Sequence, residues 1–166
     1  MDGIVAVTYR CNSRCVMCNT WQFPSKREDE IKPSDLETLP RMVRLNITGG
    51  EPFLKEDLSD ILDVVKKRAK RVVISSNGFL TKKIMEVMSR HKDVGIRLSF
   101  DGINGTHDKI RGVAKAHERA LATLKGLKEL GIKDLGMAVT ISDQNAHDLL
   151  PLYKLAKNNC VELATA

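Results

Sequence analysis

Aromatic residues are scarce: they make up 4% of the 166 residues, with a single tryptophan. So few rings leave little surface on which nucleic-acid bases could stack. No run of about eighteen apolar residues occurs, which excludes a transmembrane helix by length. The start, Met1-Asp2-Gly3, passes directly into an apolar segment. It has neither a basic n-region nor a cleavable apolar stretch, so the expected location is cytoplasmic. Cysteine is sparse too. Four residues cannot staple a disulfide framework in a chain of this size, and in a cytoplasmic protein clustered thiols point to metal.

What is present describes an ordinary folded chain: 42% apolar, 29% charged, net charge +6. That composition excludes intrinsic disorder and collagen-like repeats, and the length suits one domain spanning residues 1–166. The excess positive charge has a plain reading. Its densest run, Lys66 to Arg71, falls where a helix is expected to end, and cations there complement the helix dipole. Nucleic acid is therefore not an expected partner.

Strand-like and helix-like segments alternate. Ile4–Val7, Met42–Ile47, Val72–Ile74, Val94–Phe100, Leu135–Ile141 and Val161–Ala164 read as strands. Leu58, Ile61, Leu62 and Val65 share one helical face, as do Ile84, Val87 and Met88, then Ala120, Leu121, Leu124 and Leu127. Leu149, Leu152, Tyr153 and Ala156 form a weaker pattern, and Ser34-Asp35-Leu36-Glu37 reads as a capping box. Such alternation predicts an α/β fold with parallel strands and right-handed crossovers. Polar or glycine-rich clusters follow strand after strand, rather than gathering at one switch point. That favours a partial parallel (β/α)6 TIM-like barrel over a doubly wound sheet. Eight strands do not fit, so the barrel is expected to be truncated near the sixth, which would leave an unpaired edge.

The chemistry concentrates in Cys11-Asn12-Ser13-Arg14-Cys15-Val16-Met17-Cys18, spacing C-x3-C-x2-C. Three thiolates in eight residues can hold an iron–sulfur cluster with one iron left open. They can also hold zinc, with Cys160 or a histidine as fourth ligand, although no second ligand pair exists. Core packing explains three cysteines in a polar loop poorly.

With Gly49-Gly50-Glu51-Pro52 after the second strand, this cysteine pattern resembles the radical S-adenosylmethionine (SAM) superfamily. The likeness continues in Ser76-Asn77-Gly78, in Leu98-Ser99-Phe100-Asp101-Gly102 and in His107-Asp108-Lys109-Ile110-Arg111-Gly112. These last segments look most like the SPASM-type branch that modifies peptides and proteins. The motifs are also similar to molybdenum-cofactor cyclases, but Arg44 differs in register from the cyclase arginine and the Gly-Gly-Arg tail is missing. The resemblance implies a radical SAM core from the N-terminal part of a longer enzyme, with residues 1–166 as that domain. It implies that Cys11, Cys15 and Cys18 ligate a [4Fe–4S] cluster. Reductive cleavage of SAM would then yield a 5′-deoxyadenosyl radical that abstracts hydrogen from a small-molecule or peptide substrate. Whether the enzyme is classed as oxidoreductase, transferase or lyase stays open. The implied electron source is a one-electron donor such as a flavodoxin or ferredoxin. A non-catalytic scaffold binding zinc or a cluster is the alternative.

The resemblance also assigns contacts to SAM, each with a plainer rival. Gly49, Gly50 and Glu51 correspond to the positions facing its amino group, where the rival is a simple strand–helix turn. Ser99 corresponds to a ribose contact, or is a strand-end hydroxyl bonded to backbone. Arg111 contacts SAM, or pairs with Asp108 or Asp101. Asn77 contacts the ligand or caps its own Asn-Gly turn. Ile141, with Val139 as alternate, flanks adenine or belongs to the core. Met17 stands where the family usually carries an aromatic residue, and its sulfur can pack on a purine. Cys160 is expected to be a lone, half-buried thiol. His91, His107, His117 and His147 are expected at the surface, and Pro24–Glu30 as a solvated, mobile stretch.

Overall fold

Apolar residues recur at alternate positions along the strands, and alternation turns one sheet face toward helices. Leu45 and Ile47 of β2 (Met42–Thr48), Val72 and Ile74 of β3 (Ala69–Ser76), and Ile96 and Leu98 of β4 (Gly95–Ser99) are all buried. Leu135, Met137 and Val139 of β5 (Leu135–Val139) continue that face. β1 (Asp2–Ala6) and β6 (Glu162–Thr165) complete the sheet. The computed structural model describes residues 1–165 and places the strands in the order β1-β2-β3-β4-β5-β6. Every neighbouring pair is parallel.

Sequential order has a geometric consequence. Each right-handed crossover advances the sheet in the same direction, so the crossover helices gather on one face and the other curves inward. A doubly wound sheet needs a reversal of order, which the described strands lack. β1 and β6 stand at opposite ends, and the result is the expected partial, unclosed barrel. The helices are α1 (Leu58–Val65), α2 (Thr81–Arg90), α3 (Gly105–Arg111), α4 (Ala116–Glu129) and α5 (Leu149–Asn158). Their predicted apolar faces are buried, from Leu58, Ile61, Leu62 and Val65 to Ala120, Leu124 and Leu127. On α5 the pattern is weaker, with Leu152 and Ala156 buried but Tyr153 exposed. Among the described residues no helix is long and apolar enough to cross a membrane.

The inner face is polar. Arg97 points away from its core neighbours Ile96 and Leu98 and bonds Asp134 (2.9 Å) and Glu162 (2.6 Å). Asp134 also holds Arg71 at 2.7 Å, and Asp2 faces Arg44 at 3.5 Å. Gly136, opposite Arg97 in the register, makes room for it: a Cβ there would lie 2.8 Å from the arginine Cδ.

Several expectations need correction. The Lys66–Arg71 run closes a helix only at its start, where Lys66 is the C-cap of α1 and donates its N–H to Leu62 O. α1 ends at Val65, a tight turn bonds Arg68 N–H to Val65 O, and Lys70 and Arg71 belong to β3. The short helix after the cysteines is a 3-10 segment, Pro33–Thr38. Its start is fixed by Asp35, whose carboxylate accepts Lys32 N–H, rather than by Ser34. β5 stops at Val139, before Ile141, because the Asp101 carboxylate captures Thr140 N–H at 3.0 Å. His91, His107 and His117 are buried, while His147 is exposed. His91 Nε2 pairs with Ser59 Oγ (2.7 Å), and His107 and His117 pack against Phe100. Cys160 is exposed rather than half-buried.

The fully buried Ile74 on β3 sits at the centre of the packed face. Ile74→Ala is expected to lower stability by about 2–5 kcal/mol in urea unfolding, the usual cost of a large core deletion.

Candidate functional site

Two backbones that are far apart in sequence meet at the carboxyl end of β1 and β2. Gly50 N–H donates to Thr8 O (2.7 Å) and Glu51 N–H to Arg10 O (2.8 Å). A Cβ on Gly49 would lie 2.1 Å from Thr8 O, and one on Gly50 2.2 Å from Arg10 O. Gly49 also has φ +142°, so a side chain is refused on both counts. This contact sets the chain entering the cysteines against the turn that carries the glycines.

The cysteine loop is held from its other side by the end of α3. The last carbonyls of a helix lack intrahelical partners. Here Arg14 N–H donates to Arg111 O (3.0 Å), Val16 N–H to Ile110 O (2.9 Å) and Ser13 Oγ to Arg111 O (2.9 Å).

The segment after the cysteines is solvent-exposed at Pro24 and over Lys26–Asp29, as expected, but it is latched at Ser25 and Glu30. Glu30 is buried, accepts two bonds from Arg10 (2.7 and 2.9 Å), and accepts from Ser25 Oγ (2.7 Å) and Thr8 Oγ1. Lys55 Nζ lies 3.8 Å away, and Ser25 Oγ also accepts Tyr9 N–H. Burial opposes the Glu30 charge, but the bonds from Arg10, Thr8 and Ser25 outweigh it and hold the carboxyl at about 2.

These fixtures enclose a cavity of about 340 Å³ at the strand ends. Cys11, Cys15 and Cys18 line it, with Met17 between the last two. Gly49, Gly50, Asn77, Ser99 and Arg111 line it from the neighbouring strand ends. The Ser99 hydroxyl engages no partner among the described residues, so the backbone-bonded alternative is not what the structure shows. Asn77 does cap its turn, accepting Phe79 N–H (3.0 Å), and its amide also donates to Asn12 Oδ1 (2.7 Å). Arg111 pairs with Asp101 at 2.5 Å rather than with Asp108.

Glu51 and Ile141 do not line the cavity. Glu51 is wholly buried beneath the turn, where it accepts from Phe53 N–H (3.2 Å), Ser76 Oγ (2.9 Å) and Asn77 N–H (2.8 Å). Burial pushes its carboxyl up to about 7 against those bonds. Ile141 lies past the end of β5 and is 45% exposed, while its alternate Val139 is core. Thr140, between them, reaches the cavity instead, as does Ser75. Both have the inward parity of their strands (Gly136, Ala138, Thr140; Val73, Ser75), a signal available from alternation. Trp21 also lines the cavity and donates from Nε1 to Cys15 O at 3.3 Å. Nothing in the local pattern marks it beyond its closeness to Cys18.

The donor set suits a cluster better than zinc. Cys160 stands just before β6, at the amino end of the sheet, while the other thiols follow β1 at the carboxyl end. Among the described residues no three His, Cys, Asp or Glu side chains are placed to hold a single metal ion. A cubane does not ask for that, because each thiolate binds its own iron. Hydrogen-bonding groups already face the sulfurs: Ser13 N–H donates to Cys11 Sγ (3.4 Å), and Ser13 Oγ lies 3.1 Å from Cys15 Sγ. In the free thiol state, burial pushes Cys11 up to about 11, and Glu51 and the other thiols add to it.

The sequence model of the Radical SAM superfamily matches residues 5–156. Fe-coproporphyrin III synthase of Methanosarcina barkeri is 34% identical over 159 residues, covering 90% of this chain and 39% of that protein. Pre-heme d1 synthase of Dinoroseobacter shibae is 33% identical over 165 residues, covering 94% of this chain and 40% of that protein. The chain therefore spans about two fifths of the length of these curated relatives. Among solved structures, Streptococcus suis SuiB bound to S-adenosylmethionine has a similar fold. Its TM-score is 0.81 at 18% identity, over 99% of this chain and 40% of that one.

Two outcomes are expected. In Glu30→Gln the latch loses its anion, lowering stability at neutral pH by about 3 kcal/mol, as for other broken buried pairs. The native Glu30 contribution is present above the ordinary value of 4.5 and is lost as pH falls toward 2. Acid unfolding followed by circular dichroism should therefore be shallower across that window in the variant. In apo protein at pH 8, iodoacetamide should label exposed Cys160 well before Cys11, as read by peptide mass spectrometry.

Proposed function

Because the chain belongs to the radical SAM superfamily, whose members are enzymes that use a [4Fe–4S] cluster and SAM, we propose that its cavity initiates radical chemistry on a small-molecule or peptide substrate. The observation that carries this is the convergence of Cys11, Cys15 and Cys18 with the bare Gly49–Gly50 backbone on one cavity. Residues 1–166 are read as one core domain of that enzyme, working in the cytoplasm, where thiols stay reduced. The zinc-scaffold alternative is not favoured, since its fourth thiol lies at the far end of the sheet.

Cys11, Cys15 and Cys18 would hold the cluster, leaving one iron for SAM. When bound, the two groups together supply a 5′-deoxyadenosyl radical able to abstract hydrogen, given one electron from a donor such as a flavodoxin or ferredoxin. The protein's part is placement and shielding. Gly49 and Gly50 present backbone to the amino group of SAM, their missing side chains leaving room for the Thr8 and Arg10 carbonyls. Glu51 acts from below: by gripping Phe53, Ser76 and Asn77 it fixes the turn and the end of β3 together. It is thereby a positioning residue rather than a contact. Ser99 offers to ribose a hydroxyl that has no partner among the described residues, and Met17 and Trp21 line the cavity beside the cysteines. At the end of β5 the side chain bordering the cavity is Thr140.

Reconstitution under anaerobic conditions, followed by low-temperature EPR of dithionite-reduced protein, tests this. A [4Fe–4S]+ signal that changes when SAM is added is expected. Cys15→Ala should abolish it, and Cys160→Ala should leave it intact. A cluster signal indifferent to SAM would overturn the assignment of Gly49, Gly50 and Ser99. Absence of any cluster in the folded, unsubstituted chain would overturn the reading as a whole.

A further inference from the structure

The three thiols are not surrounded alike. Cys11 Sγ accepts from a neutral backbone N–H, and Cys18 Sγ lies 3.4 Å from the neutral hydroxyl of Thr20. Cys15 Sγ accepts from a cation, Arg111 Nη1, at 3.6 Å. The arginine is not a loose surface group. Its side chain is 13% exposed, and its other terminal nitrogen is ion-paired with Asp101, which is wholly buried. Asp101 is itself anchored, accepting Thr140 N–H at 3.0 Å and donating its own N–H to His107 Nδ1 at 3.0 Å. Meanwhile the Arg111 carbonyl holds Ser13 and Arg14, the residues just before Cys15. One residue thus grips the Cys15 segment by its backbone and addresses the Cys15 sulfur by its charge.

A guanidinium stays protonated at every accessible pH, so its charge beside the sulfur is permanent. Hydrogen bonds and charge at ligand sulfurs are among the levers that set an iron–sulfur potential. Resting on the radical SAM reading above, we infer that Arg111 is a positioning residue for electron entry. Its charge at Cys15 Sγ stabilises the reduced cluster, and Asp101 is the counter-charge that limits the effect. The step adds one electron from a one-electron reductant. No bond is made or broken, and no proton moves, because Arg111 is charged before and after.

The test is a redox titration of the reconstituted 166-residue chain, read by EPR, without substrate. Arg111→Gln should be harder to reduce, with about a tenfold change in the oxidised-to-reduced ratio at fixed potential. For one electron that is about 59 mV downward. Arg111→Lys, which keeps a cation, should recover most of the shift. Asp101→Asn, which removes the counter-charge, should move the potential upward. A purely structural role would lower cluster content without opposite shifts from two bonded neighbours. If Arg111→Gln does not retain a cluster, Asp101→Asn decides: an upward shift supports the inference and an unchanged potential overturns it. Potentials unchanged in every cluster-bearing variant overturn the inference alone. Failure of the unsubstituted chain to bind a cluster overturns the functional reading on which it rests.

Discussion

Everything at the strand ends depends on how closely the Gly49–Gly50 backbone approaches the carbonyls of Thr8 and Arg10. That approach is closer than any side chain permits. It extends the β1–β2 ladder past both strands, through Val7 N–H to Thr48 O and on to the Glu51 N–H. The cysteine loop begins where this seam ends. Glu30 then ties the returning chain to Thr8 and Arg10, and the end of α3 takes the N–H groups of Arg14 and Val16. A loop with three thiols and little apolar content cannot hold itself by burial. It is held by hydrogen bonds to elements that are themselves packed.

The sheet's two faces solve different problems. The helix-side face is built from Leu, Ile, Val and Met and carries the stability. A closed barrel fills its interior with such residues as well. Here the inner face carries Asp2, Arg44, Arg71, Arg97 and Glu162, with Asp134 beside them, joined largely as ion pairs. Charges that remain partly hydrated suit a sheet that does not close over itself, because burying them fully would cost more than pairing returns. The cavity lies above this charged layer, on the same face.

Much of this was legible in the sequence, for identifiable reasons. Strand order followed from short strand–helix alternation, since crossover handedness leaves few arrangements. Cys11, Cys15, Cys18 and the glycine pair carried their chemistry in residue type and spacing. What failed depended on contacts between distant segments. Glu30 reads as one charge in a run of charges until Thr8, Arg10 and Ser25 are brought to it. His107 is an ordinary polar residue until Asp101 donates its N–H to it and Phe100 covers it. The fifth strand was carried two residues too far, to Ile141, because Asp101, thirty-odd positions earlier, draws Thr140 out of the ladder. Ser75 and Thr140 could have been found by strand parity, whereas Trp21 could not.

Sequential strand order also separates the molecule along its length. Among the described residues each side chain on the cavity comes from a position no later than Thr140, and α5 and β6 supply none of them. Descent can therefore rewrite the downstream portion of such a chain, or append to it, without disturbing the groups that surround the thiols. The thiol-bearing end becomes an inherited constant, and the stretch beyond it becomes the variable. Relatives with names as different as a coproporphyrin synthase and a heme d1 precursor synthase can share this stretch at about one residue in three. Diversification in such an architecture proceeds from one end.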